Sequence, residues 1–212
     1  MISNRLKEIA KFTKGYNILL DVGSDHGLLP IYAINSGFVK KAIASDINYK
    51  PLIKAKENFN KYNLDIETII YDGIPETLAD VIVIAGMGAE LIIEILEKTL
   101  SNAKNLKRLV LSPNCDYEIL RRFITKDFKI VDESIIYDKK HYYEIIVLES
   151  GHYDYTDKEL YFGPILLKEK SNVFIDKHKK ELNDYLKIVD GITDINKQNE
   201  IKEKINMIKE LI

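Results

Sequence analysis

Asn17-Ile18-Leu19-Leu20-Asp21-Val22-Gly23-Ser24-Asp25-His26-Gly27-Leu28-Leu29-Pro30 is the stretch that decides the fold. An apolar run too short for a helix leads into Asp21, and a turn rich in Gly and Asp follows. That is the pattern of a buried parallel strand handing over to a helix. Gly23 and Gly27 have no Cβ to keep backbone N–H groups away from a nucleotide-like ligand. A second short apolar run, Ala42-Ile43-Ala44-Ser45, ends in Asp46 and Ile47. An acid at the end of the second strand of an α/β unit commonly grips ribose hydroxyls, so the two strand ends point to a nucleoside cofactor.

Working outward, residues 3–14 carry Leu6, Ile9, Ala10 and Thr13 at helical spacing, with Ser3 as N-cap and Gly15 as stop. Helices are expected over about 28–36 and 49–62, strands over 66–71 and 80–84, then a helix to about Leu100. A fifth strand, Arg108 to Leu111, ends in Ser112-Pro113-Asn114, and a helix over 116–125 follows. Residues 128–137 and 142–149 read as two strands around a polar Asp138-Lys139-Lys140-His141 turn. Alternating strands and helices imply an α/β, doubly wound, Rossmann-like parallel sheet. A closing antiparallel hairpin leans toward class I methyltransferases, because dehydrogenase nucleotide domains usually continue with another βα unit. After Ser150 the composition turns helical. Thr156-Asp157-Lys158-Glu159 has the form of a capping box. Phe174, Ile175, His178, Leu182, Tyr185, Leu186 and Val189 mark one helix face, and Asp190-Gly191 interrupts it. Asp194 caps a second helix with Ile201, Ile205, Ile208 and Leu211. The expectation is a catalytic domain over 1–150 and a C-terminal, coiled-coil-like α-helical hairpin over 151–212. The tail is either a structural or dimerising arm or an RNA brace that works by shape.

The 212 residues, 46% hydrophobic and 30% charged, suffice for a core without staples. One cysteine, Cys115, rules out an internal disulfide framework and reads as a small core residue. No signal-like start and no apolar run long enough for a membrane is present, so a cytoplasmic, membrane-free chain is expected. A net charge of −2 gives no global argument for nucleic acid. Locally, residues 1–17 hold Arg5, Lys7, Lys11 and Lys14 against Glu8 alone, and residues 98–140 hold ten Lys or Arg against six Asp or Glu. Such a basic rim suits RNA or a merely solvated surface.

Several positions carry chemistry. Asp25 stands where the second glycine of a dinucleotide fingerprint belongs. A carboxylate there repels a diphosphate, by about 4 kcal/mol per pair at 4 Å in a partly dry site. S-adenosylmethionine has no phosphate and bears a sulfonium and an ammonium, which Asp21 and Asp25 would attract; Asp25 as a simple helix cap is the alternative. Asp72-Gly73 either reaches an adenine amino group or forms an ordinary turn. Ala85-Gly86-Met87-Gly88 lets backbone pass close to a methionyl group and sets Met87 against an adenine ring, or Gly88 only starts a helix. Ser112-Pro113-Asn114 is a Pro-rigidified turn whose Asn114 offers an acceptor and a donor pair to a base edge. His26 is a substrate contact or a satisfied loop residue. No metal spacing is present.

The motifs Asp21-Val22-Gly23-Ser24-Asp25-His26, Ile84-Ala85-Gly86-Met87-Gly88, Ser112-Pro113-Asn114, Tyr143-Glu144-Ile145 and Phe162-Gly163-Pro164 together resemble the bacterial tRNA (adenine-22-N1)-methyltransferase family, the TrmK family. The family usually has Gln-Pro-Asn at 112–114 and Ala-Tyr-Leu-Pro after the His. The resemblance implies methyl transfer from S-adenosylmethionine to N1 of adenine 22 in the D-arm of tRNA. Asp21, Gly23, Ser24, Asp25, His26, Asp46, Ile47, Asp72, Gly73, Ala85, Gly86 and Met87 would hold the cofactor. Asp25, Pro113 and Asn114 would serve catalysis, and Arg5, Lys7, Lys11, Arg121 and Arg122 would meet tRNA phosphates. A small-molecule or protein methyltransferase, and a non-catalytic RNA-binding module that keeps the pocket, are the rivals. A monomer is expected, with a homodimer through the C-terminal helices as the alternative.

Overall fold

The computed structural model describes residues 2–212. The chain opens with α1 (Asn4–Lys11), where the Ser3 side chain accepts a hydrogen bond from Leu6 N at 3.2 Å. There follow β1 (Ile18–Val22), α2 (Leu28–Asn35), β2 (Lys41–Asp46), α3 (Tyr49–Lys61) and β3 (Glu67–Ile70). Then come β4 (Val81–Ala85), α4 (Ala89–Thr99), β5 (Arg108–Ser112), α5 (Tyr117–Ile124), β6 (Phe128–Asp138) and β7 (His141–Ser150). Four helices end the chain: α6 (Asp157–Phe162), α7 (Pro164–Glu169), α8 (Asn172–Ile188) and α9 (Ile195–Leu211). The expected elements are present, most within two residues of their expected ends. Pro164–Glu169 is a helix that the spacing did not reveal, because six residues are too few to show a 3.6-residue period.

The seven strands form one sheet in the order β3-β2-β1-β4-β5-β7-β6. β1 to β5 run parallel, and β7 pairs antiparallel with both β5 and β6. Alternate residues of the central strands feed two cores. Leu19, Val81 and Val83 pack under α1, α2 and α3 with Ile9, Leu29, Leu52 and Phe59. Leu20, Ile82 and Ile84 pack under α4 and α5 with Ile92, Leu96 and Leu120. Strands buried on both faces explain the unbroken apolar runs. The strand order reverses between β1 and β4, so their carboxyl ends, Val22 and Ala85, flank the crevice where ligands bind in open α/β sheets.

A third core holds Tyr161, Phe162, Leu166, Phe174, Ile208 and Leu211, drawn from all four C-terminal helices, with Ile135 of β6 packed against it. The tail is thus a four-helix cluster seated on the closing hairpin, and α8 and α9 are only two of its members. Thr156 and Glu159 form the capping box, and Asp194 caps α9.

The seat of this cluster is ionic. Arg121, expected on the RNA-binding surface, is fully buried. Its Nε and Nη2 reach Glu133 of β6 at 2.8 and 2.7 Å, and Nη2 also reaches Glu144 of β7. Lys177 of α8 pairs with the other oxygen of Glu144, and Glu133 Oε2 accepts from Ile165 N at 2.9 Å at the start of α7. Arg121 lies on the inward face of α5 beside Leu120 and Ile124, which its charge concealed. Gly163 passes over the pair so closely that a Cβ there would stand 2.6 Å from both Arg121 and Glu133. Burial alone would raise the Glu144 carboxyl, but Lys177 and Arg121 hold it below its ordinary value.

Removing one member strands the others without compensation. Arg121→Ala should therefore cost about 3–5 kcal/mol and lower Tm by on the order of 10 °C, read by thermal melts followed by circular dichroism. A change under 2 °C would show that the network contributes little.

Candidate active site

A cleft of about 360 Å3 opens at the carboxyl ends of β1 and β4. Its walls include Asp21, Gly23, Asp25 and His26 from the loop after β1, Ala85 and Gly86 after β4, and Arg5 and Leu6 of α1. Asp138, Lys139 and Tyr143 of the β6–β7 hairpin close it. The loop after β1 is held in a strained form, with His26 and Gly27 both left-handed at φ of +61° and +65°. The two glycines serve differently from the expectation. A Cβ on Gly27 would lie 2.2 Å from the Phe59 ring, and one on Gly23 would lie 2.8 Å from the Met87 methyl. Both make room for the chain's own side chains, while Gly23 also lines the cleft.

Asp21 is 8% exposed and forms no ion pair among the described residues. Burial, with nearby Asp46 adding to it and Ser24 opposing, pushes its carboxyl up to about 7. An acid left uncompensated in a cleft is a receptor for a cation. Asp25 does not cap α2, whose N-cap is Gly27, and its side chain stays 69% exposed at the mouth. His26 Nε2 lies 3.4 Å from Asp25 Oδ1.

Asp46 ends β2 and Ile47 follows it, both outside the lining of this cleft. Asp46 Oδ1 accepts from Asn48 N at 2.7 Å, and Ile47 is 58% exposed. Asp72 is exposed after β3, whereas Gly73 is buried with its Cβ position blocked by Thr99 at 2.6 Å, so packing explains that glycine. Gly88 is the N-cap of α4.

Arg5, expected as a phosphate contact, is instead built into the site. Its guanidinium donates to Asn114 Oδ1 at 2.8 Å, to Ser112 Oγ and to the Ser112 carbonyl, and stacks 4.1 Å from the Tyr143 ring centroid. Asn114 Nδ2 donates to the Gly86 carbonyl at 2.8 Å, and Asn114 N donates to the Met87 carbonyl at 2.9 Å. The turns after β4 and β5 are thereby locked together. Each amide atom of Asn114 keeps one further hydrogen-bonding position. Pro113 is buried and Asn114 exposed. The sequence could not show the Arg5–Asn114 pair, since the two are 109 residues apart.

The remaining basic expectations divide. Lys11 pairs with Glu8, and Arg122 pairs with Glu118 and Asp157, so both charges are matched on the surface. Lys7 is half-buried. Cys115 is exposed, not a core residue, and its Sγ donates to Asp116. Among the described residues no cluster could hold a metal ion, and no helix is long and apolar enough to cross a membrane.

A sheet of this order with a closing antiparallel pair, and an acidic cleft at its switch point, defines a class I methyltransferase fold. The family model for tRNA (adenine(22)-N(1))-methyltransferase matches residues 19–210. The Bacillus subtilis tRNA (adenine(22)-N(1))-methyltransferase is 32% identical, the match covering 100% of this chain and 97% of that protein. A Streptococcus pneumoniae structure in complex with S-adenosyl-L-methionine superposes with a TM-score of 0.91 at 37% identity, covering 100% and 99% of the two chains. Mycoplasma capricolum TrmK in complex with S-adenosyl-homocysteine gives 0.86 at 30%, covering 99% and 97%. The chain belongs to the TrmK family of tRNA (adenine(22)-N(1))-methyltransferases.

The raised Asp21 carboxyl fixes a pH effect on the ligand-free fold. An acid whose folded value exceeds its unfolded 3.8 stabilises below that value, and the benefit is lost as pH rises toward about 7. Asp21→Asn should therefore raise Tm by roughly 5 °C at pH 8, with the gain shrinking steadily toward pH 4. A gain independent of pH in melts across that range would contradict a buried, ionising Asp21.

Proposed function

We propose that this chain methylates N1 of adenine 22 in the D-arm of tRNA, with S-adenosylmethionine as methyl donor. The observation that carries it is the acidic cleft at the β1–β4 crevice, whose wall residues Arg5 and Gly86 hold the Asn114 amide in one orientation. Asp21 and Asp25 suit a donor bearing positive charge and no phosphate, while Gly23, His26, Ala85 and Gly86 line its path and the buried Ser24 supports the loop. Asp46, Ile47 and Asp72 are placed for the nucleoside end, and Met87 covers the floor between.

S-adenosylmethionine supplies an electrophilic methyl group when bound. The adenine N1 lone pair lies in the ring plane, so attack needs alignment more than a base, and positioning is worth roughly 7–11 kcal/mol. Asn114 can offer its free N–H and free lone pair to N7 and N6 of the base, the pairing amides make with adenine, which leaves N1 open. Pro113 stiffens the turn, and Arg5 holds the amide in place. The product ring is cationic, and Asp25 at the mouth stabilises that charge as it develops. An adenine within folded tRNA must leave its stack to enter the cleft. Residues 1–150 act as the catalytic domain and 151–212 as a helical domain fixed to it by the Arg121 network. The chain works as a monomer in the cytoplasm, where tRNA is; exposed Leu186, Ile188 and Ile195 are where a homodimer would form instead.

Two transcripts that differ only by adenine or guanine at position 22 test the assignment. Label from tritiated donor should enter the first alone; equal incorporation, or none in either, would refute it. Asp25→Asn should lower kcat by roughly tenfold to a hundredfold while leaving the tRNA dissociation constant within twofold. Equal losses in both would make Asp25 a binding residue only.

A further inference from the structure

The β6–β7 connection is two residues long, Lys139 and Lys140, between the paired Asp138 and His141. Both have positive φ, +47° and +68°, which is the backbone of a type I′ turn. That turn favours Asn-Gly because a side chain crowds the left-handed backbone. Two lysines there are a local penalty with no local return. Both are exposed, and among the described residues neither ammonium forms an ion pair.

The tip is nonetheless held firmly. Arg5 N donates to Asp138 Oδ2 at 3.3 Å, Ser134 Oγ donates to Glu8 Oε1 at 3.2 Å, and the Tyr137 and Tyr142 rings pack across the strands with centroids 4.8 Å apart. Asp138 and Lys139 line the same cleft as Asp21 and Asp25. Within that cleft the other side chains that carry full charge are acids or Arg5, whose guanidinium is already committed to Ser112 and Asn114. The turn therefore offers the rim two uncommitted cations on a stiff support, and strain of this kind persists where the surroundings enforce it for function.

We propose that Lys139 and Lys140 form a phosphate clamp that grips the RNA backbone beside the adenine entering the cleft. This rests on the reading of the substrate as tRNA. A base that enters a cleft of this size brings its own flanking phosphates to the rim, and cations fixed on a rigid tip lose little freedom in meeting them. The clamp serves binding and alignment of the substrate strand, not the transfer step itself.

The test uses Lys139→Asn with Lys140→Gly, the residues the turn prefers, in the full chain. Tm should rise by roughly 2–4 °C as the backbone relaxes. KM for tRNA should rise roughly tenfold, and the slope of log kcat/KM against log salt should flatten by about 1–2. Affinity for S-adenosylhomocysteine by calorimetry should stay within twofold, and Lys139→Arg with Lys140→Arg should keep the wild-type KM. A fall in Tm would mark the lysines as structural and overturn the clamp. An unchanged KM and salt slope would overturn it too, and so would a loss confined to S-adenosylhomocysteine affinity, which would assign the cations to the cofactor's carboxylate. If the wild-type chain methylates no tRNA, the substrate reading itself fails and the clamp with it. If the wild type methylates and the variant matches it, only the clamp fails.

Discussion

One buried guanidinium joins the two parts of this molecule. Arg121 brings together α5, the closing hairpin through Glu133 and Glu144, and the helical tail through Lys177 and the start of α7. Two cations and two carboxylates leave the water together, and each is tolerable only because the others are present. The hairpin that carries Tyr143 and the Lys139-Lys140 turn is thus braced from behind. The cleft in front depends on that brace, since Tyr143 and Glu144 are neighbours on one strand facing opposite sides of the sheet. Glu144 is drawn back into the network while Tyr143 stacks on Arg5.

Around the cleft several local rules of the fold are broken together. An acid is buried without a partner at Asp21, two successive residues are left-handed at His26 and Gly27, and a type I′ turn is made from lysines. Gathered around one crevice, they are what a binding site costs in stability. The two cores under the sheet show nothing comparable: Leu19, Leu20, Val81, Val83, Ile82 and Ile84 are all fully buried and apolar.

Sheet, helix order and loop chemistry were legible in the sequence because they are local. Ile18–Leu20 and Val81–Ile84 are unbroken apolar runs, and Ser3, Thr156 and Asp194 announce their helices by cap chemistry. What stayed hidden is non-local. Arg121 and Arg5 look alike on paper, two cations in basic stretches, yet one is sealed in the interior and the other locks the turn after β5 across 109 residues. Charge identifies a residue's hydration preference, not its partner. Cys115 failed in the opposite sense: small and apolar by habit, it sits exposed beside Asp116 because the turn after β5 leaves no core within reach.

The charges divide by side, with acids after β1 and the lysines on the hairpin. Asp21 and Asp25 lie where a diphosphate would sit in a dinucleotide enzyme, and their like sign opposes one there. An RNA substrate carries the same phosphates, so an acidic cleft alone would repel its own substrate. The contradiction resolves if phosphate is turned away on the β1 side of the cleft, at Asp21 and Asp25, and attracted on the hairpin side, at Lys139. The proposed clamp does so: its lysines would hold the phosphates at the hairpin, leaving the base, neutral until methylated, to enter a cleft of about 360 Å3. On the proposed reading the methylated ring is a cation beside Asp25, an attraction that the neutral base lacks.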